Sequence, residues 1–286
     1  MIGLIVGVVV AFVLFVLQEL RHPLPMLKLA LFKNRNIALA FGIMFMAYGA
    51  MLGVISYLPF YFQEALGNSA LVSGLKTMPR SVGFILGAII SSKLMDKGFR
   101  RLLCCAGVFV AVSSGLFGLL TLKYSYGNLV AFFILQGLGM GIQMPCATVL
   151  VQNSCKPEDT GTALSGFSFC GIIGGALFVA IYGSLYTKHL DRELGDLNPF
   201  NPMDREAWSL RAPQAITDGV RLVCMACMAP ALLSSILAAF IVKFDIVAHK
   251  NRTNEAKVAV DPMEGNEGME KDKSGATGGT DKETTP

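Results

Sequence analysis

Two basic side chains lie within a long apolar stretch of this sequence, where charge is costly. Lys76 and Arg80 are four residues apart, on either side of Thr77 and Pro79, so a helix would carry both on one face. At the centre of a bilayer a cation costs roughly 2.5–3.5 kcal/mol on insertion scales, and it usually faces a bundle interior or a water-filled cavity. Two interpretations are open: the pair lines a cavity and meets a substrate or a carboxylate, or it extends to the polar membrane surface. Pro79 lacks a backbone donor and is expected to kink the helix.

Uncharged polar side chains occur at helical spacing in two other apolar stretches. Gln136 and Gln143 are seven residues apart, which is two turns along one helix face. Their amides need partners in hydrocarbon, so they either bind a substrate or tie neighbouring helices together. A similar polar face is marked by Tyr48 and Ser56. The candidates for lining a substrate cavity are therefore Tyr48, Ser56, Lys76, Arg80, Gln136 and Gln143.

The apolar stretches offer little else for chemistry. Asp and Glu occur only at their edges, so an obvious buried carboxylate for proton coupling is lacking. The stretches contain no serine–histidine pair, HExxH motif or cysteine–histidine arrangement, and we predict no enzyme activity, cofactor or metal. Cys224 and Cys227 form a CxxC pair, but no His or Asp lies close enough to complete a metal site. This favours two small helix residues over a redox or metal centre.

Seven long apolar runs must position these residues. Hydrophobic residues make up 53% of the chain and charged residues 15%, against about 25% charged in soluble domains. A helix of about 20 apolar residues crosses the bilayer core, so the sequence predicts an all-α, polytopic transmembrane helical bundle. The net charge of +4 fits loop cations facing anionic lipid rather than nucleic acid. The predicted spans are Met1–Leu17, Ile37–Phe62, Ala70–Ser92, Leu102–Leu122, Leu129–Gln152, Gly161–Tyr186 and Val220–Val242.

The distribution of Lys and Arg in the short connectors predicts the orientation. The first and third connectors are basic, the second has no Lys or Arg, and the fourth has only Lys123. Because cytoplasmic loops are enriched in Lys and Arg, Met1 is expected outside and the C-terminal tail in the cytoplasm. The longest connector, Thr187–Gly219, would then lie outside, with Trp208 near the outer interface.

Glycine and aromatic patterns add two expectations about packing. Glycines four residues apart allow close approach of helices in lipid. We predict packing seams at Gly3/Gly7, Gly49/Gly53, Gly83/Gly87, Gly137/Gly141 and Gly171/Gly175. The second span closes with aromatic side chains that form either an outer membrane belt or a substrate gate, namely Tyr57, Phe60, Tyr61 and Phe62.

Four stretches in order carry a family resemblance: Glu19–Arg35, Tyr57–Pro79, Gln152–Ala163 and Gly174–Leu185. Together with the span pattern they resemble the C-terminal half of a major facilitator superfamily transporter, in the fourteen-span drug:proton antiporter branch. The resemblance implies a linker helix and cytoplasmic connector over residues 1–36 and a six-helix bundle over 37–243. The polar composition of residues 244–286 predicts a disordered cytoplasmic tail. By position in the family, the second and fifth spans would line the central cavity, the third and sixth would flank it, and the fourth and seventh would face lipid.

One connector resembles the family's acidic–basic cytoplasmic gating motif. Asp96 matches its acidic position, and Lys97, Arg100 and Arg101 match basic ones, although Gly98 is displaced from its usual place before the basic pair. The alternative is ordinary anchoring by cytoplasmic cations, which explains the basic residues but not Asp96.

The resemblance implies a function and a set of partners. The expected activity is proton-coupled export of lipophilic small molecules, cations among them, by alternating access in the plasma membrane. The expected partners are the lipid bilayer, the substrate, protons, and a missing N-terminal half or a second copy of the chain. Two alternatives are a seven-span receptor and a non-transporting membrane interaction subunit. A receptor predicts an extracellular cysteine bridge, and the predicted outer connectors contain no cysteine.

Overall fold

The computed structural model describes residues 34–121, 126–195 and 205–241, without the side chains of residues 96, 97 and 205–207. The predicted span Met1–Leu17, its connector, the Gly3/Gly7 pair and the 244–286 tail lie outside these ranges. In the described ranges the chain forms helices α1 (Arg35–Phe60), α2 (Ala70–Thr77), α3 (Pro79–Phe117), α4 (Tyr126–Ser154), α5 (Thr160–Leu194), α6 (Arg205–Ala226) and α7 (Met228–Ala239). A π-helical turn (Tyr61–Ala65) follows α1, and a 3-10 turn (Pro157–Asp159) precedes α5.

Five stretches of helix in the described part of the chain are long and apolar enough to cross a membrane. They match the second, fourth, fifth, sixth and seventh predicted spans, with shifted boundaries. This confirms the prediction of an all-α transmembrane bundle. The five stretches are Arg35–Ala65, Gly98–Phe117, Tyr126–Ser154, Pro157–Leu194 and Trp208–Ala239.

The third predicted span, Ala70–Ser92, is not among the five, because its helix is interrupted. Pro79 has no N–H and cannot donate to the carbonyl of Leu75, which instead accepts from the N–H of Met78 across 3.2 Å. Helix α2 therefore ends at Thr77 and α3 begins at Pro79. The first arm of α3, residues 79–97, also carries Arg80 near its start and three charged residues among its last five, which shortens its apolar length.

Helix α3 turns back on itself at Gly98, where φ is 176° and ψ is 59°. Gly87 in the first arm packs against Gly141 of α4, and Ala106 beyond the bend packs against Gly139 of the same helix. In a straight helix residues 87 and 106 would be roughly 28 Å apart, yet both meet the same turn of α4. The two arms therefore form a helical hairpin, and each packs against α4.

The long connector predicted over Thr187–Gly219 is wrong in extent. Helix α5 continues to Leu194, and α6 begins at Arg205. The apolar side chains of the two helix ends recur at helical spacing, and their mutual burial favours helix over an open loop. Trp208 belongs to this small cluster, whose members are Leu190, Leu194, Trp208, Ala212, Ala215 and Ile216.

Glycine allows α3 and α4 to approach at backbone distance. A Cβ on Gly83 would overlap the backbone of Ile134, and a Cβ on Gly137 would overlap the backbone of Arg80. The pairs Gly83/Gly87 and Gly137/Gly141 therefore face each other along one seam. This confirms the packing role predicted for them, as expected for helices that associate through small residues.

A second seam joins α1 to α5 by the same means. A Cβ on Gly49 would overlap the ring of Phe178, and a Cβ on Gly53 would overlap the ring of Tyr182. In the other direction, Gly175 receives the side chain of Leu52. In each of these contacts a glycine on one helix packs against a large side chain on the other helix.

The aromatic residues that end the second span lie mainly in the protein core. Tyr57, Tyr61 and Phe62 are buried, and only Phe60 of the four is exposed. The Tyr61 hydroxyl donates to the carbonyl of Thr121 across 2.8 Å. A lipid-facing belt would leave these rings exposed, so that prediction is wrong for three of the four. Their neighbours in the core cluster include Phe117, Phe133, Tyr182, Cys224 and Cys227.

Candidate substrate cavity

Two adjoining cavities lie between α1, the first arm of α3 and α4. The larger has a volume of about 290 Å³ and the smaller about 130 Å³, and both have Ile55 and Arg80 in their walls. Ligand pockets usually measure about 300–1,000 Å³, so the larger cavity lies near the lower end of that range. The larger is lined by Met51, Ile55, Arg80, Ser81, Phe84, Ile85, Gly137 and Met140. The smaller is lined by Val54, Ile55, Leu58, Pro59, Thr77, Arg80, Phe133 and Gln136.

The two cavities differ in chemical character. Apart from Arg80 and Ser81, the larger one is apolar, and it opens at the bundle surface, where Ser81, Phe84 and Ile85 are exposed. The smaller one lies deeper, between buried Leu58 and Phe133, and contains the polar side chains of Thr77, Arg80 and Gln136. An elongated molecule could therefore place an apolar part in one cavity and a polar part in the other.

Gln136 is the most informative polar residue in the wall. Its side chain has no exposed surface, and neither Nε2 nor Oε1 has a hydrogen-bond partner among the described residues. Buried polar groups in native proteins are almost always hydrogen-bonded, since each unsatisfied one costs about 1–3 kcal/mol. The residue lines the smaller cavity while its amide atoms are themselves covered, so a ligand or water would complete the amide only after the atoms that cover it move.

Arg80 is half-buried and belongs to both cavities. Within the described residues no carboxylate pairs with it; the ion pair that these residues contain joins Arg221 to Asp218 at 2.9 Å. The backbone of Arg80 is held close to α4 because Gly137 has no side chain. Since Gly137 directly follows Gln136, the same seam positions both polar groups.

Gln143 has a different environment from Gln136. Its Nε2 donates to the Ser234 hydroxyl across 2.9 Å, and that hydroxyl donates to the carbonyl of Ala231. Gln143 therefore ties α4 to α7, and it lines neither of the two cavities. Of the two interpretations open for the glutamine pair, the helix tie describes Gln143. Substrate binding by Gln136 stays a prediction.

Tyr48 and Ser56 also lie away from these two cavities. The Tyr48 ring packs against Gly171, so it faces α5 rather than α3. Ser56 is half-buried on α1 and is absent from both cavity walls. Their role in substrate binding stays a prediction.

Lys76 and Arg80 take separate places although they are one turn apart. The Lys76 ammonium lies 5.5 Å from the centre of the Phe62 ring and 5.8 Å from that of Tyr126, a distance suited to cation–π attraction. The Tyr126 hydroxyl donates to the backbone carbonyl of Lys76 across 3.2 Å. Lys76 lines neither cavity, whereas Arg80 lines both.

The predicted gating connector is shorter than the sequence suggests. The residues on both sides of Gly98 are helical, so the turn between the two arms of α3 is confined to the bend itself. Arg100 and Arg101 are exposed at this end of the hairpin. The side chains of Asp96 and Lys97 lie outside the described part of the chain, and the gating role of all four residues stays a prediction.

Sequence reasoning missed the apolar walls and Thr77. Met51, Ile55 and Met140 give no chemical signal in a chain rich in aliphatic residues. Thr77 lies between the two basic residues, and its hydroxyl donates to the carbonyl of Gly74 across 2.8 Å. The spacing of Thr77 and Arg80, three residues apart, could have suggested a shared face.

Comparison with known proteins agrees with the helical membrane fold. The sequence model of the Major Facilitator Superfamily matches residues 1–179. The chain is 31% identical over 197 residues to the multidrug transporter protein MdtP of Bacillus subtilis, covering 68% of this chain and 36% of that protein. It is 30% identical over 196 residues to an uncharacterized MFS-type transporter of Mycobacterium tuberculosis, covering 68% of this chain and 28% of that one.

A fungal relative shows the same partial coverage. The chain is 28% identical over 200 residues to the efflux pump notK of an Aspergillus species, covering 68% of this chain and 35% of the pump. The chain thus spans about a third of the length of the curated relatives it matches. The family match over more than half of the chain and the membrane-length helices lead to one conclusion: this chain belongs to the Major Facilitator Superfamily of transporters and is a multi-pass integral membrane protein.

Proposed function

We propose that this chain forms a substrate-binding bundle of an efflux transporter, which exports lipophilic small molecules across the plasma membrane. The observation that carries the proposal is the unpaired, fully buried amide of Gln136 in the wall of a cavity that also contains Arg80. The relatives named as a multidrug transporter and an efflux pump support export and drug-like substrates.

The transport cycle is alternating access driven by inward proton flow. In this superfamily one bundle rocks against another around a site near the middle of the membrane. The larger cavity opens at the surface formed by Phe84 and Ile85, and we place the second bundle against that surface. That bundle is an N-terminal half of the family type or a second copy of this chain.

The proton carrier is not evident in the described helices. Neither cavity has a carboxylate in its wall, and the Asp218 carboxylate is exposed and paired with Arg221. We therefore assign proton transfer to a group outside the two cavities.

The test is an efflux assay with the full chain in host cells that lack their own pumps. Cells loaded with an anionic lipophilic fluorescent dye should lose it faster than vector controls, and a protonophore should abolish the difference. Gln136→Leu should slow efflux about tenfold, because one hydrogen bond of roughly 1.4 kcal/mol corresponds to that factor. Gln214→Leu is the matched control, since Gln214 is exposed on α6 and remote from the cavity walls.

Each arm of the assay can contradict a separate part of the proposal. Wild-type efflux equal to that of the vector control would reject transport by this chain. Efflux that persists with the protonophore would reject proton coupling. Equal rates for Gln136→Leu and wild type, at equal amounts of protein in the membrane, would reject the site.

A further inference from the structure

The walls of the two cavities contain one positive charge and no negative charge, and this affects which substrates they can bind. Arg80 is the one charged residue in the walls of the two cavities, and it belongs to both. A lipophilic cation would have to enter beside this guanidinium without a carboxylate in either wall to offset it. Buried charges need an opposite partner, so the walls disfavour cations and favour anions.

The deeper cavity is also lined by a residue, Gln136, whose amide has no hydrogen-bond partner among the described residues. The Gln136 amide can donate twice through Nε2 and accept through Oε1, and neither atom is used among the described residues. The Thr77 hydroxyl donates to the carbonyl of Gly74 across 2.8 Å, and it makes no hydrogen bond to the Gln136 amide in the described part of the chain. Planar guanidinium groups bind carboxylates through two parallel hydrogen bonds.

The larger cavity supplies a place for an apolar part of the same molecule. Its walls include Met51, Ile55, Phe84, Ile85 and Met140, and it adjoins the deeper cavity at Arg80. Unbranched methionine side chains adapt to apolar groups of different shape. A ligand anchored by an acidic group could therefore vary in the rest of its structure.

From these observations, and resting on the proposed transport function, we infer that the Arg80–Gln136 site selects lipophilic molecules that carry a carboxylate or similar oxygen-rich group, and excludes lipophilic cations. The anionic group lies at Arg80 and Gln136, and the apolar body lies against Met51, Phe84 and Met140. Two sources share this chemistry: a lipophilic weak acid from solution and an anionic lipid from the bilayer.

The test measures binding rather than transport, with the full chain in lipid nanodiscs. Three probes share one ring system and differ in charge: 1-naphthylacetate, the neutral 1-naphthylacetamide and 1-naphthylmethylammonium. In equilibrium dialysis the acid should bind most tightly, the amide less tightly and the amine most weakly. Arg80→Met should weaken binding of the acid about tenfold or more, as expected for loss of a charge-assisted pair, and should leave the amide nearly unchanged.

Further variants separate the site from folding and from general charge effects. Arg80→Lys keeps the charge and should retain part of the preference for the acid, even if Arg80→Met fails to fold. Gln136→Leu should weaken both the acid and the amide. Lys156→Met removes an exposed cation from the α4–α5 connector and should leave the order unchanged.

Changing the lipid separates the two sources of the anion. If a lipid headgroup occupies the site, nanodiscs with phosphatidylglycerol should bind less naphthylacetate than nanodiscs with only phosphatidylcholine; equal binding indicates a solution ligand. Tighter binding of the amine, absence of binding by all three probes, or an unchanged order in both Arg80 variants would overturn the inference. Preferred binding of the acid without dye efflux in cells would reject the transport function but retain the site.

Discussion

Gln136 and Gln143 lie two turns apart on α4, yet their surroundings give them different tasks. Gln143 has its Nε2 bonded to Ser234, while its Oε1 has no partner among the described residues. Gln136 has no partner at either atom and lies in a cavity wall. The same residue type therefore ties two helices at one position and lies unpaired beside a cavity at the other, where we propose a ligand site. The energetic consequences of mutation should differ accordingly.

At the residue scale, we predict that Ser234→Ala destabilises the bundle more than Gln143→Leu does. Removing the hydroxyl leaves the whole buried amide unsatisfied, which costs about 1–2 kcal/mol. Removing the amide leaves Ser234 still bonded to the carbonyl of Ala231, so the loss should be below about 1 kcal/mol. Thermal unfolding of the detergent-solubilised variants shows which of the two is less stable. A larger loss for Gln143→Leu, or no rescue of Ser234→Ala by adding Gln143→Leu, would contradict this account.

Glycine residues, which have no side chain, allow the helices of this bundle to pack closely. Gly83 and Gly87 allow the first arm of α3 to contact the backbone of α4. Gly137 of α4 in turn contacts the backbone of Arg80. Because α3 bends at Gly98, its second arm packs on the same helix. The cavity walls at Arg80 and Gln136 therefore depend on a seam that does not itself contact a substrate.

At the element scale, Gly137→Ala should destabilise the bundle by about 1–3 kcal/mol, the usual cost of overpacking, because its new methyl group meets the Arg80 backbone. It should also weaken binding at the cavity by shifting Arg80. Gly74→Ala is the control: a Cβ there meets no atom within 4 Å, and alanine favours the helix by up to about 1 kcal/mol. Unfolding midpoints of the two variants give the comparison. Equal stability of Gly137→Ala and wild type would contradict this prediction and show that α3 and α4 can move apart to accept the methyl group.

The whole bundle presents an apolar surface beside the opening of the larger cavity. Val82, Ile85 and Ile89 are exposed on the first arm of α3, and Ile85 is 59% exposed while lining the cavity. Leu233 of α7 is also exposed, at 45%, but it lies away from both cavities. The family resemblance implies that the seventh span, which contains Leu233, faces lipid and that the third span flanks the cavity. We propose that the opposing bundle packs against the surface formed by Val82, Ile85 and Ile89.

At the scale of the molecule, a photo-cross-linking residue at position 85 should capture a second copy of the chain or another membrane polypeptide. The same probe at position 233 should yield mainly lipid adducts, and it is the matched control because both sites are exposed and aliphatic. Mass spectrometry of the products from native membranes identifies the captured species. Capture at 233 but not at 85, or monomers alone at both, would contradict the proposed placement of the second bundle.

The sequence by itself determined the membrane-spanning helical class, because long apolar runs depend only on composition along the chain. The family came from the resemblance carried by four ordered stretches, Glu19–Arg35, Tyr57–Pro79, Gln152–Ala163 and Gly174–Leu185. The sequence also indicated the glycine seams, since spacing of four places small residues on one helix face. Only the tertiary structure decided which polar residues share a site. Helical periodicity places Lys76 with Arg80 and Gln136 with Gln143, but it cannot show which neighbouring helix covers each side chain. Packing of α1, α3 and α4 brought Arg80 to Gln136 and left Lys76 and Gln143 with other partners.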